Sequence, residues 1–187
     1  MGSGTGASDG ADRVTIGVSI AIPEPYGSSL QDVRDGYGDP LARAIPTHVT
    51  LLGPTSVRGT ALSAIEQHLE RVAAGAVPYP MTLSGTGTFR PISPVVFVRI
   101  AKGGEECGRL EQQVRSGPLE AELRFPYHPH VTIGHDLPAE VLDRAEAELA
   151  DFRADFEVTE FSLYLHGADG VWRPQWRFVL GCGVPRV

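Results

Sequence analysis

One pattern, written twice, constrains this chain more than any other feature: His48-Val49-Thr50-Leu51 and His130-Val131-Thr132-Ile133, 82 residues apart. Alternate residues of a strand face the same way. Each triplet therefore offers an imidazole and a hydroxyl to one surface and buries a valine on the other. The surroundings repeat too, because each triplet leads into a helix and then into two strands. The period is too long for a solenoid. It points to a duplicated lobe, an antiparallel sheet with helices on one face. The expected fold class is α+β, with two pseudo-twofold sheets, helices on their outer faces and a central cleft.

Local patterns fill in this frame. Strands are expected over residues 14–22, 47–52, 79–89, 95–100, 129–134, 156–166 and 176–181. The second is stopped by Gly53-Pro54. Helices are expected over residues 28–36, 60–74, 105–116 and 139–152. The clearest carries Leu62, Ile65, Leu69 and Val72 at spacings of three and four. Gly85-Thr86-Gly87 leads into no helix, so it reads as a bulge or a close backbone approach, not a phosphate loop.

With 187 residues, one domain is expected over residues 13–187, after a flexible tail over residues 1–12. The first ten residues lack the basic start and apolar core of a signal peptide. No apolar run reaches membrane-span length, and a cytoplasmic monomer is expected. Cys107 and Cys182 stand far apart and read as reduced thiols. The net charge of −7 disfavours DNA or long RNA held through many phosphates. A nucleotide, or an RNA end in a local basic cleft, remains open as partner.

Two imidazoles and two hydroxyls around one small volume suit hydrolysis of a phosphodiester, above all a strained cyclic one. One ring takes a proton from the attacking water, and the other protonates the leaving oxygen. The threonines donate hydrogen bonds to the non-bridging oxygens. His48, Thr50, His130 and Thr132 are thus the candidate catalytic residues, with no cofactor and no metal required. Which histidine is the base is left open. Phe89 and Tyr127 are candidates to stack a base, and Arg90 to meet a phosphate through its planar fork. Against these stand core packing for the aromatics and a solvated arginine in a hairpin.

His128, His130, His135 and Asp136 form a local cluster of transition-metal ligand types. Pro129 and Gly134 interrupt them, and surface histidines are the default. His68 is expected solvated on its helix and His166 at a strand end. Trp172 and Trp176 are expected to pack. The acidic helix surfaces, Glu111 among them, are expected to be solvated.

The paired triplets resemble the two signatures of the 2H phosphoesterase superfamily, in its bacterial 2′-5′ RNA ligase-like, or RNA 2′,3′-cyclic phosphodiesterase, branch. Phe125-Pro126-Tyr127-His128-Pro129 before the second triplet, Phe89-Arg90-Pro91, and Leu163-Tyr164-Leu165 followed by Trp172 and Trp176 share that likeness. The resemblance implies a bilobal fold and the opening of a 2′,3′-cyclic phosphate to a 2′-phosphate, with reversible 2′-5′ ligation in some members. Leu52-Gly53-Pro54-Thr55 departs from relatives that carry an aromatic residue after the first motif. A catalytically idle nucleotide- or RNA-end-binding module of the same fold is the alternative.

Overall fold

The computed structural model describes residues 12–181. Cys182 and all of the expected tail except Asp12 lie outside the described residues. The elements run β1 (Arg13–Ala21), α1 (Tyr26–Gly36), β2 (His48–Arg58), α2 (Leu62–Gly75), β3 (Tyr79–Thr88), β4 (Val95–Lys102), α3 (Gly104–Val114), β5 (His130–His135), α4 (Ala139–Glu148), β6 (Arg153–Val158), β7 (Glu160–His166) and β8 (Trp172–Val179). The strands form one antiparallel eight-stranded sheet in the order β6-β3-β4-β5-β2-β1-β7-β8. The α+β class and the antiparallel pairing expected from the repeats are what is found.

The duplication is interleaved. Strands β3 and β4 follow the first triplet in the chain, yet they lie beside β5, which carries the second. Strands β7 and β8 close the chain and lie outside β1. Each half of the sheet is therefore assembled from both repeats. Strands β6 and β7 stand six places apart in the order, roughly 29 Å in a flat sheet. One residue, Thr159, joins them, and a residue spans at most about 3.6 Å. The sheet must curl, and the Leu180 N–H meets the Thr159 carbonyl at 2.8 Å where the two ends approach.

Alternation then sorts the sheet into two faces. Val18, Val49, Val98, Val131 and Leu163 belong to one apolar core with Leu30 of α1, Leu69 of α2, Leu110 of α3 and Leu142 of α4. The helices thus cover the valine face and leave the histidine face free. Among the described residues, no helix is long and apolar enough to cross a membrane.

Several expectations are corrected by tertiary packing. Strand β2 does not stop at Gly53-Pro54. Ile16 pairs with Thr55 and Val18 with Leu52, so both residues sit in a bulge opposite Gly17, where a missing N–H is tolerated. The single strand expected over residues 156–166 is two, split where the partner changes from β3 to β1 and β8. The last strand begins at Trp172, not Trp176. His68 is not solvated. Helix α3 covers it, and its Nε2–H donates to the carbonyls of Gln113 (3.1 Å) and Val114 (3.2 Å), acceptors left open at that helix end. Glu111 is buried as well, paired with Arg115. The Gly-x-Gly stretch does both things expected of it. Gly85 lies in a register shift with φ of 68°, and a side chain on Gly87 would strike the Phe97 ring.

Candidate active site

Strands β2 and β5 meet at one backbone pair, Val49 opposite Val131. Extending that antiparallel register by one residue each way sets His48 against Thr132 and Thr50 against His130. Residues directly opposite share a face, with diagonal neighbours about 7–8 Å apart. The two imidazoles therefore stand at opposite corners of one square and the two threonines at the others. Both valines are fully buried beneath it.

Each imidazole is held by the same device. The Nδ1–H of His48 donates to the Pro46 carbonyl and that of His130 to the His128 carbonyl, both at 2.7 Å and both two residues back. A carbonyl only accepts, so the proton of the neutral ring is fixed on Nδ1 and the Nε2 lone pair is left for chemistry. Burial pulls the pKa of both rings below the ordinary histidine value. The positive charges of Arg34 and His130 add to the effect on His48, and that of His128 to the effect on His130; the carbonyl contacts oppose it. Both rings favour the neutral form in the free protein. An anionic phosphate between them favours protonation of one.

The strands flanking the quartet differ. Across from Thr50 on β1 stands Ser19, and beyond it Ser162 on β7. Across from Thr132 on β4 stands Phe97, and beyond it Gly87 on β3. His130 packs against the paired rings of Phe89 and Phe97, at centroid distances of 5.0 and 5.1 Å. His48 instead borders a pocket of about 180 Å³ shared with Thr50, Tyr164 and Trp172. On the other side, a cleft of about 800 Å³ is lined by Thr50 and His130 together with the loops after β3 and before β5.

The three expected substrate-binding residues all line the larger cleft. Phe89 packs on Phe97, with ring centroids 4.5 Å apart, as well as on His130. The Tyr127 hydroxyl donates to the Thr50 carbonyl (2.8 Å) and so ties the second motif to the first strand. The Arg90 fork turns onto α4, where Nη1 meets Asp143 (2.6 Å) and Nη2 meets Glu146 (2.8 Å). His135 lies apart from His128 and His130, paired with Asp136. Among the described residues no group of three or more His, Cys, Asp or Glu side chains is placed to hold a metal ion.

Other cleft residues escaped the sequence reading. Ile92, Leu123 and Phe125 are three of the six exposed large apolar residues described, and all three line the large cleft. Apolar side chains in proline-rich turns were the available signal. The Arg124 guanidinium rests 5.3 Å from the Phe125 ring centre and pairs with no carboxylate among the described residues. Arg34 and Arg115 sit 14 and 15 residues before their histidines. Arg34 lines a small pocket with His48 and Thr132 and acts on the His48 charge, and Arg115 lines the large cleft that Thr50 and His130 also border.

The sequence profile of the 2′-5′ RNA ligase superfamily matches residues 22–170, a span that holds both His-x-Thr strands. The chain belongs to the 2′-5′ RNA ligase superfamily. A protein of Geobacillus kaustophilus named "Putative phosphoesterase" is 28% identical over 167 residues, covering 88% of this chain and 95% of its own. A protein of Bacillus thuringiensis of the same name is 28% identical over 172 residues, 90% of this chain and 98% of its own. In fold, the chain is similar to E. coli LigT, with a TM-score of 0.64 and 21% identity over 91% of this chain and 99% of that one. It is also similar to TT0787 of Thermus thermophilus, with a TM-score of 0.60 and 20% identity over 89% and 98%. This 2′-5′ RNA ligase superfamily member therefore has the LigT-like fold as well as the paired motifs.

Proposed function

We propose that this superfamily member is a metal-independent phosphoesterase that opens 2′,3′-cyclic phosphates of nucleotides or RNA ends to 2′-phosphates, with reversible 2′-5′ ligation when the 5′-hydroxyl of a second RNA end replaces water as the nucleophile and the 3′-oxygen leaves. The observation that carries the reading is the quartet at the Val49–Val131 pair, with both Nε2 atoms free and both Nδ1 protons held. Phosphorus sits over the square. One neutral imidazole takes the proton of the attacking water through Nε2. The other, protonated once the anion is bound, gives its proton to the leaving ribose oxygen on the far side. Thr50 and Thr132 donate to the two non-bridging oxygens, where negative charge grows in the transition state. In the reverse direction the two imidazoles exchange roles.

The names of the phosphoesterase relatives support this reading. So does E. coli LigT, solved with NADP+, with 3′-AMP and with ATP, since a nucleotide is the partner expected here. The test is turnover of a panel of nucleoside 2′,3′-cyclic phosphates and cyclic-phosphate RNA ends in EDTA, with product position read by ³¹P NMR. Steady formation of 2′-phosphate is expected. Loss of activity in EDTA that a divalent metal restores, or no turnover of any member of the panel, overturns the proposal.

A further inference from the structure

We infer that the small pocket on the His48 side is a nucleobase subsite, taking one heteroaromatic ring from the nucleoside attached on that side of the phosphorus, while any longer chain lies along the larger cleft. The inference rests on the proposed reaction only for the phosphate that anchors the ring beside the quartet.

Four features build the site. The pocket holds about 180 Å³, and a cavity of about 150 Å³ takes a benzene ring. Its wall is the Trp172 indole, which lies over Gly17 on β1. A side-chain carbon there would come within 3.1 Å of the indole, so the glycine is what gives the indole its place. Its floor is polar. Ser19 is 3% exposed, and its hydroxyl lies close to the Tyr164 phenol. Ser19 stands across from Thr50, so it faces the same side as the catalytic hydroxyl. The buried Tyr164 phenol adds a second polar group beside it, its pKa raised by burial. An aromatic face with hydroxyls at its edge recognises a flat ring that carries hydrogen-bonding atoms on its rim. On the opposite side the equivalent space is filled by Phe97 against Gly87. The subsite therefore exists in one half only.

Trp172 reports on its own pocket. In the full chain carrying Trp176→Phe, Trp172 is the only tryptophan, and its fluorescence is followed during titration with adenosine 5′-monophosphate, adenosine 2′-monophosphate, ribose 5-phosphate and inorganic phosphate. At least one adenosine nucleotide should quench saturably, and ribose 5-phosphate and phosphate should not. Ser19→Ala should weaken the quenching nucleotide about fivefold, and Ser19→Leu, which fills the pocket, should abolish quenching. If the leucine variant does not fold, the alanine variant carries the test. Equal quenching by all four probes overturns the subsite, as does nucleotide binding by equilibrium dialysis that leaves Trp172 unchanged. Quenching by a nucleotide without turnover of any cyclic phosphate would sink the proposed reaction and leave the subsite standing. Turnover without base-dependent quenching would do the reverse.

Discussion

The two halves of the sheet present the same imidazole–hydroxyl pair to the central square and quite different surroundings beyond it. His48 and His130 are held alike, by a carbonyl two residues back, and each faces a threonine across the β2–β5 junction. One strand further out the likeness ends. Thr132 is followed by Phe97 and Gly87, a ring packed into the space left by a missing side chain. Thr50 is followed by Ser19 and Ser162, two short hydroxyls that leave room. A symmetric quartet suits the proposed reaction, because acid and base exchange roles between its two directions. Recognition has no such requirement, and there the halves have diverged.

The most severe test of the symmetric part is to remove one imidazole at a time. His48→Ala and His130→Ala should each lower turnover of a 2′,3′-cyclic phosphate by about 10²–10⁴-fold, the usual worth of one general acid or base. A loss on one side only would mean that a single histidine does the chemistry. Behind the rings the halves should differ in stability. Arg34 and Asp39 form an ion pair with side chains 4% and 0% exposed, whereas Arg115, paired with Glu111, is 22% exposed at the cleft. Arg34→Ala abandons a carboxylate in the interior and should cost about 3–5 kcal/mol in urea unfolding. Arg115→Ala should cost less, because Arg115 is what separates the buried Glu111 from the cleft, and its loss lets water in to the carboxylate. Equal losses would show that the two pairs are equally dry.

The link between the halves is testable through Tyr127. Tyr127→Phe removes a hydrogen bond to the Thr50 carbonyl and should cost about 0.5–1.5 kcal/mol in thermal or urea unfolding. No change in stability would show that the β2–β5 junction holds itself. The smallest effects are in pH. Free enzyme competent for reaction has one ring neutral and one protonated. Both pKa values are lowered by burial, so the kcat/KM profile should peak on the acid side of the ordinary histidine value, about 6.5. Above the peak the acid has lost its proton; below it the base has gained one. The same shifts act on folding. As pH falls below about 6.5 the unfolded chain binds protons before the folded one does. The stability contributed is full above that value and is lost as pH falls through the lowered folded values. His48→Gln should therefore lose less melting temperature than the wild type between pH 7.5 and pH 5, and an unchanged loss would refute the lowered pKa of His48.

Much of this was legible in the chain before any fold was in view. The period-two logic of His-Val-Thr placed each imidazole with its hydroxyl and put Val49 and Val131 in the core, and both lie there fully buried. The four helices were expected in place, because three-and-four spacing is a local signal. His68 and Glu111 went wrong for one reason: their polar side of the helix is polar in sequence but is covered in space, by another helix and by an arginine. Strands β6 and β7 read as one because alternation continues through them, and alternation carries no information about which neighbour a strand pairs with. Ser19 was passed over because nothing in its side chain marks it out, and Trp172 was read as a packing residue because its neighbours across the sheet were not yet known.

A periodic pattern needs only its own backbone to say which way a side chain points, so the twin triplets and the shared face of each imidazole and hydroxyl were determined by the amino acids alone. Which strand lies against which depends on long-range pairing that no local repeat encodes. The single Val49–Val131 meeting, the exchange of strands between the repeats, and the contrast of Ser19 with Phe97 across their threonines came from the packed sheet, because register exists only once two strands have met.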